Sequence, residues 1–186
     1  MERGHTVPPF PVWALGLFDD YYRRLIHAFK FENRRDCGDF LGLRLGALVA
    51  RDPRALAIEA VVPVPLHRAR RRERGFNQSE LLALAVAGAI GRPVLRDLVR
   101  VRNTKSQTVL DGRRRKENVA GAFTVRGAQS PQVVLLVDDV LTTGATIREC
   151  ALALTETGAK RIFGAVVALA EQGEPGFPGP DVSEGA

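Results

Sequence analysis

The chain has 186 residues, 45% of them hydrophobic and 26% charged, enough for one domain with a real core and too ordinary in composition for a disordered or fibrous protein. No apolar run approaches the roughly 20 residues a membrane helix needs, and the start is too short and Pro-rich for a secretory signal, so a cytoplasmic protein with no membrane association is expected. The net charge of +6, carried mainly by arginine, favours an anionic partner, either nucleic acid or a phosphorylated small molecule.

Pro8, Pro9 and Pro11 predict an irregular start through residue 18, with Trp13, Leu15, Leu17 and Phe18 free to pack on the body. Asp19 and Asp20 stand where a helix favours acids. Tyr22, Leu25, Ile26 and Phe29 then recur at helical spacing, and Arg23, Arg24, His27 and Lys30 between them read as a solvated basic face. A second helix is predicted from about Asp36 to about Arg51, with Phe40, Leu41, Leu45 and Leu48 inward and Asp52-Pro53 as its stop. The two cysteines, Cys37 and Cys150, are far apart and form no Cys-x-x-Cys pair, so neither zinc nor a disulfide is expected.

Ala60 to Val64 reads as a strand, but Pro63 and Pro65 force a sharp turn at its end. Five arginines follow within seven residues, from Arg68 to Arg74, which suits a basic loop facing either nucleic acid or a diphosphate. Asn77 and Glu80 resemble a capping box at the head of a helix from Gln78 to Ile90, with Leu81, Leu82, Ala85 and Ala89 inward. Gly91 and Pro93 stop it. Leu98 to Arg102 and Gly121 to Val125 read as an antiparallel pair joined by the long basic segment Asn103 to Asn118, either a lid or plain disorder.

Val133 to Thr146, VVLLVDDVLTTGAT, carries the strongest chemical signal. Five apolar residues suit a strand buried on both faces. Asp138 and Asp139 fall at its carboxyl end, where α/β sheets place ligands. Thr142, Thr143, Gly144, Ala145 and Thr146 open a helix with free N–H groups, hydroxyls and a positive dipole end, a cradle for phosphate. A sugar phosphate uses both the acids and the cradle. The helix runs to Thr157 with Ile147, Cys150, Ala151 and Leu154 inward, and a last apolar strand covers Arg161 to Ala170. Residues 171–186 hold little to bury and read as a disordered tail. The alternation predicts an α/β domain over residues 60–170 with a mainly parallel central sheet flanked by helices, and an N-terminal helical segment, residues 1–59, packed on the core.

LLVDDVLTTGAT resembles the phosphoribosyl pyrophosphate signature of type I phosphoribosyltransferases. Pro63-Val64-Pro65-Leu66-His67, Arg74-Gly75-Phe76-Asn77-Gln78, Thr104-x-x-Gln107-x-x-Leu110 with Arg115, Asn118 and Gly121-Ala122-Phe123, and Phe29-Lys30-Phe31 resemble the ComF-like (competence protein F) branch of that superfamily. The resemblance runs from about Tyr21 to about Ala170. Many members of that branch begin with a four-cysteine zinc module, which these two cysteines do not form.

The resemblance implies a type I phosphoribosyltransferase fold and a donor site for phosphoribosyl pyrophosphate with Mg²⁺, held through ligand and water. Asp138 and Asp139 would take the ribose hydroxyls, and Val140, Leu141, Thr142, Thr143, Gly144, Ala145 and Thr146 the 5′-phosphate. Leu66, His67, Arg68 and Arg74 would face the pyrophosphate, and Thr104, Lys105, Gln107 and Arg115 would lie in a flexible lid. The implied reaction displaces pyrophosphate at ribose C1 by a nitrogen acceptor, a base or amine that the sequence does not identify. The alternative is a non-catalytic protein of this fold that binds the donor or single-stranded DNA and acts with a DNA-uptake machinery. A homodimer is expected by analogy with the fold.

Overall fold

The computed structural model describes residues 9–102, 119–127 and 129–170. The elements run in chain order as β1 (Val12–Leu17), α1 (Asp20–Phe31), α2 (Arg35–Ala50), a 3₁₀ turn (Pro53–Ala57), β2 (Ala60–Pro63), α3 (Arg68–Arg74), α4 (Gln78–Ile90), β3 (Leu98–Arg100), β4 (Phe123–Val125), β5 (Val133–Leu141), α5 (Ala145–Glu156) and β6 (Arg161–Leu169). The main sheet has the order β1-β6-β5-β2 with every pairing parallel, while β3 and β4 form a separate antiparallel pair. This is the α/β architecture expected from the sequence. No helix among the described residues is long and apolar enough to cross a membrane.

The pleat sorts the central strand between two cores. Leu135 and Val137 face the helices α1, α2 and α4, where Ile26, Phe29, Leu41, Leu45, Leu82 and Val86 are fully enclosed. Val134 and Leu136 face α5, with Ile147, Cys150 and Leu154. Burying each large aliphatic side chain in this way contributes about 1.5–3 kcal/mol.

Residues 12–17 are a strand rather than part of an irregular start. Val12 to Leu17 adds a strand to the sheet by pairing with Gly164 to Leu169, so Trp13 stacks on Phe163 with ring centroids 5.3 Å apart. Pro9 and Pro11 stand just before the strand rather than forbidding it. Helix α2 turns Phe40 outward, 42% exposed beneath the Arg44 guanidinium, instead of inward. Its inner face carries Gly38, Gly42 and Gly46 beside Leu41, Leu45 and Val49. Gly42 and Gly46 let α2 lie close against α4, while Gly38 leaves room for the Phe29 ring of α1. A Cβ on Gly42 would stand 2.8 Å from the Ala85 methyl, and one on Gly46 would stand 2.9 Å from that of Ala89. Ala85 and Ala89 therefore serve this helix crossing, and the buried face of α4 is instead Gln78, Ser79, Leu82, Ala83, Val86 and Ala87.

Half of the predicted capping box forms. Asn77 Oδ1 accepts from the Ser79 N–H at 3.2 Å. Glu80 turns away to Arg71 at 3.5 Å and to Arg96, so nothing reciprocates the cap. The predicted basic loop after β2 is largely helical. Arg68–Arg74 forms the short helix α3, capped by His67 Nδ1 accepting from the Ala69 N–H at 3.2 Å and closed by Gly75 in the left-handed conformation. The predicted tail, residues 171–186, and the predicted basic segment Asn103 to Asn118 lie outside the described residues.

Candidate functional site

Strand β5 outruns its neighbour. β2 pairs with it from Ala60 opposite Val134 to Pro63 opposite Val137, and then stops. Pro65 then leads into α3, and the last rung is the Val64 N–H bonded to Val137 O at 2.9 Å. Asp138 to Leu141 continue with β6 alone on one side, leaving the other edge of β5 open at the acids. The chain leaves β2 through α4 on one face of the sheet and leaves β5 through α5 on the other. The crevice between the carboxyl ends of β2 and β5 is therefore a topological switch point, the place where open α/β sheets bind ligands.

The two carboxylates are held differently. Asp138 Oδ1 accepts from the Ser79 hydroxyl at 2.8 Å and from the Asp139 N–H at 2.9 Å. Asp139 Oδ1 accepts from the Lys30 ammonium at 2.8 Å, with each of these two side chains only 13% exposed. Neither Oδ2 accepts a hydrogen bond from the described residues. The pair thus presents two spare carboxylate oxygens, fixed by their partners, at the mouth of the crevice. Burial, and next the Asp139 charge alongside, push Asp138 up to about 7, against the opposing pull of Ser79, the Asp139 N–H and Lys30.

The turn that follows is shaped for an anion. Gly144 is the N-cap of α5 at φ 72°, a left-handed conformation that suits glycine, and it contributes no capping side chain. Thr143 Oγ1 only grazes the Ala145 N–H at 3.4 Å. Thr142 is exposed, Thr143 and Thr146 are half-buried, and Gly144 and Ala145 are buried. The start of α5 thus offers backbone N–H groups and a positive dipole end beside two hydroxyl side chains. Val140 and Leu141 are half-buried on the strand that delivers them.

Leu66 and His67 are half-buried and Arg68 is exposed, at the turn from β2 into α3. Arg74 reaches furthest into the fold. Its guanidinium lies over the Phe31 ring at 4.9 Å and donates to Gln78 Oε1 at 3.3 Å. Burial lowers its pKa, while the Asp139 carboxylate supports the charge. Thr104, Lys105, Gln107 and Arg115, the predicted lid residues, lie outside the described residues.

Three residues of this neighbourhood escaped the sequence reading. The spacing of α1 puts Lys30 on a solvated basic face, yet its side chain is only 13% exposed and bonds Asp139. Its position in Phe29-Lys30-Phe31, the last turn of α1, was the available signal, because a cation at a helix C-terminus complements the dipole. Ser79 follows the N-cap Asn77, whose amide ties the start of α4 to Val64 O at 3.1 Å and so aims the hydroxyl at Asp138. Arg100 of β3 lies over Phe123 at 5.4 Å and is close enough to Asp138 for that charge to act on it.

Comparison with known proteins follows the same lines. No protein-family model matches the chain. It is 32% identical over 171 residues to competence protein F of Haemophilus influenzae, a match covering 86% of this chain and 74% of that protein. It is 36% identical over 142 residues to the DNA utilization protein YhgH of Escherichia coli K12, covering 74% of this chain but 63% of that protein, under two thirds of its length. Among solved structures, a glutamine phosphoribosylpyrophosphate amidotransferase from B. subtilis aligns over 75% of this chain and 30% of its own, at 18% identity and a TM-score of 0.49. A purine phosphoribosyltransferase from Pyrococcus horikoshii aligns over 76% of this chain and 93% of its own, at 15% identity and a TM-score of 0.43.

Proposed function

The chain belongs to the competence protein F family, and from that premise we propose that it binds phosphoribosyl pyrophosphate with Mg²⁺ and displaces pyrophosphate at ribose C1 by a nitrogen acceptor. The observation that carries this reading is the placement of Asp138 and Asp139 at the switch point, directly before the glycine-capped start of α5. Two carboxylates with one spare oxygen each match a vicinal diol, and the helix start matches a 5′-phosphate one ribose away.

The chain's own residues divide the work. Asp138 and Asp139 accept from the ribose hydroxyls, which fixes the sugar and places negative charge near a C1 that becomes cationic as its bond to the leaving oxygen stretches. The α5 N–H groups, Thr143 and Thr146 anchor the 5′-phosphate. Arg74 is proposed to face the pyrophosphate, with Leu66, His67 and Arg68 at the turn beside it. The C1–O bond to pyrophosphate breaks, the C1–N bond forms, and the nitrogen releases its proton.

Among the described residues no three His, Cys, Asp or Glu side chains cluster to grip a metal directly. Asp138 and Asp139 would hold Mg²⁺ through water beside the bound donor, and the ion would neutralise charge on the leaving group. A pyrophosphate-release assay across purine and pyrimidine bases and simple amines tests the reaction. Release that depends on one acceptor supports it, and silence with every acceptor, alongside intact donor binding, points to a binder.

A second reading has its own observation. Arg68, Arg71 and Arg72 project from α3 as exposed cations beside the crevice, with Arg71 61% exposed despite its contact with Glu80. Together with relatives named for competence and DNA utilization, this surface suits single-stranded DNA and a role in DNA uptake. Affinity for a single-stranded oligonucleotide should then fall steeply with salt and weaken when these three arginines become alanine. Affinity that survives both treatments removes α3 from the interface.

A further inference from the structure

Lys30 reaches the site from outside it. Helix α1 precedes α2 in the chain, yet its last turn carries this ammonium to 2.8 Å from Asp139 Oδ1, across 109 residues of sequence. The pair is nearly enclosed, with 13% of each side chain exposed. Enclosed carboxylates side by side repel each other and need a nearby cation. In sites that handle diphosphates, that cation is commonly a divalent ion held by one or two carboxylates. Here a side chain stands at the carboxylate instead.

We propose that Lys30 is a positioning residue that takes the place of a divalent ion at Asp139, holding one oxygen of that carboxylate so that the other faces the sugar. The inference rests on the donor-site reading for what Asp139 faces, while the replacement of a metal by Lys30 is testable without any donor. Three features favour a built-in counter-ion over an incidental surface pair. The contact is enclosed. Lysine sits in the last turn of α1, where the helix dipole favours a cation. Arg74, the next cation towards Asp139, is already engaged with Phe31 and Gln78. Removing the ammonium therefore leaves the nearly enclosed Asp139 carboxylate without its hydrogen-bonded cation.

The test compares the wild-type chain with Lys30→Gln and Lys30→Arg, using Mn²⁺ alone as the probe and its paramagnetic relaxation of water as the readout. The wild type and K30R are expected to show no Mn²⁺ site at the pair. K30Q is expected to gain one in the millimolar range, and K30Q/D139N to lose it again. A second arm measures phosphoribosyl pyrophosphate affinity against Mg²⁺ concentration. K30Q should bind the donor about tenfold more weakly at low Mg²⁺, recover as Mg²⁺ rises, and add no further loss in a D139N background.

If K30Q does not fold in the absence of metal, refolding on addition of Mn²⁺ carries the same conclusion, since a metal that substitutes for the ammonium stabilises the native state. Failure of Mn²⁺ to bind or refold K30Q overturns the proposal. Wild-type chain that binds no donor, alongside a K30Q that gains a metal site, leaves the role of Lys30 standing and removes the donor reading instead.

Discussion

The hydroxyl of Ser79 donates to Asp138 Oδ1 at 2.8 Å, joining the first turn of α4 to the carboxyl end of β5. The bond links two elements on opposite sides of the switch point, so the shape of the crevice depends on it. It also sets a hydroxyl, which carries no charge, against a carboxylate that burial and Asp139 push up to about 7.

That shift has a consequence for stability. In the unfolded chain an aspartate titrates near 3.9, so between about pH 4 and about pH 7 the native protein holds a proton at Asp138 that the unfolded chain has released. Native binding of the extra proton means that stability falls as pH rises through this window, by up to about 1.4 kcal/mol per pH unit. Asp138→Asn keeps an acceptor for Ser79 and loses the titration. Urea midpoints measured at about pH 5 and about pH 8 should drop with pH in the wild type by more than in D138N. Parallel pH profiles would mean that Asp138 is ionised throughout.

The α2–α4 crossing predicts two glycine substitutions of opposite sign. A Cβ on Gly46 meets Ala89 Cβ at 2.9 Å, Ala85 O at 3.2 Å and Val86 Cα at 3.3 Å, and the last two are backbone or bonded to it, so they cannot rotate away. Overpacking costs about 1–3 kcal/mol and outweighs the gain of about 1 kcal/mol from replacing a helical glycine. Gly46→Ala should therefore destabilise the fold by about 1–2 kcal/mol. A Cβ on Gly88 meets nothing within 4 Å. Gly88→Ala should thus stabilise the protein by about 0.5–1 kcal/mol, and thermal melts of the two variants read the difference directly.

Arg74 predicts a dependence on side-chain shape. Its guanidinium lies over the Phe31 ring, 4.9 Å from the centroid, while it bonds Gln78. Lysine supplies the charge without the plane or the fork. Binding of Mg²⁺–pyrophosphate, followed by calorimetry, should weaken about tenfold or more in Arg74→Ala, and Arg74→Lys should recover little of it. Full recovery in R74K would reduce the role of Arg74 to its charge.

Much of this was legible in the sequence, for identifiable reasons. The run VVLLVDDVLTTGAT encodes its strand, its acids and its helix start within neighbouring residues, so local rules suffice. Ile147, Cys150, Ala151 and Leu154 likewise declare the inner face of α5 by spacing alone. What stayed hidden depended on distant partners. β1 reads as a Pro-rich start because its pairing residues, Gly164 to Leu169, lie at the other end of the chain. Phe40 reads as core until the glycines of α2 show that a close helix crossing occupies the inner face. Lys30 reads as one more surface cation because Asp139, which captures it, is 109 residues away.

Calorimetry with phosphoribosyl pyrophosphate and Mg²⁺ tests the donor site itself, with the wild type set against Asp138→Asn/Asp139→Asn. The donor site described here predicts saturable Mg²⁺-dependent binding by the wild type and a loss of about a hundredfold or more in the double variant, since two charge-assisted contacts to the sugar are weakened together. Absence of binding by the wild type, or equal affinity in the double variant, would contradict it.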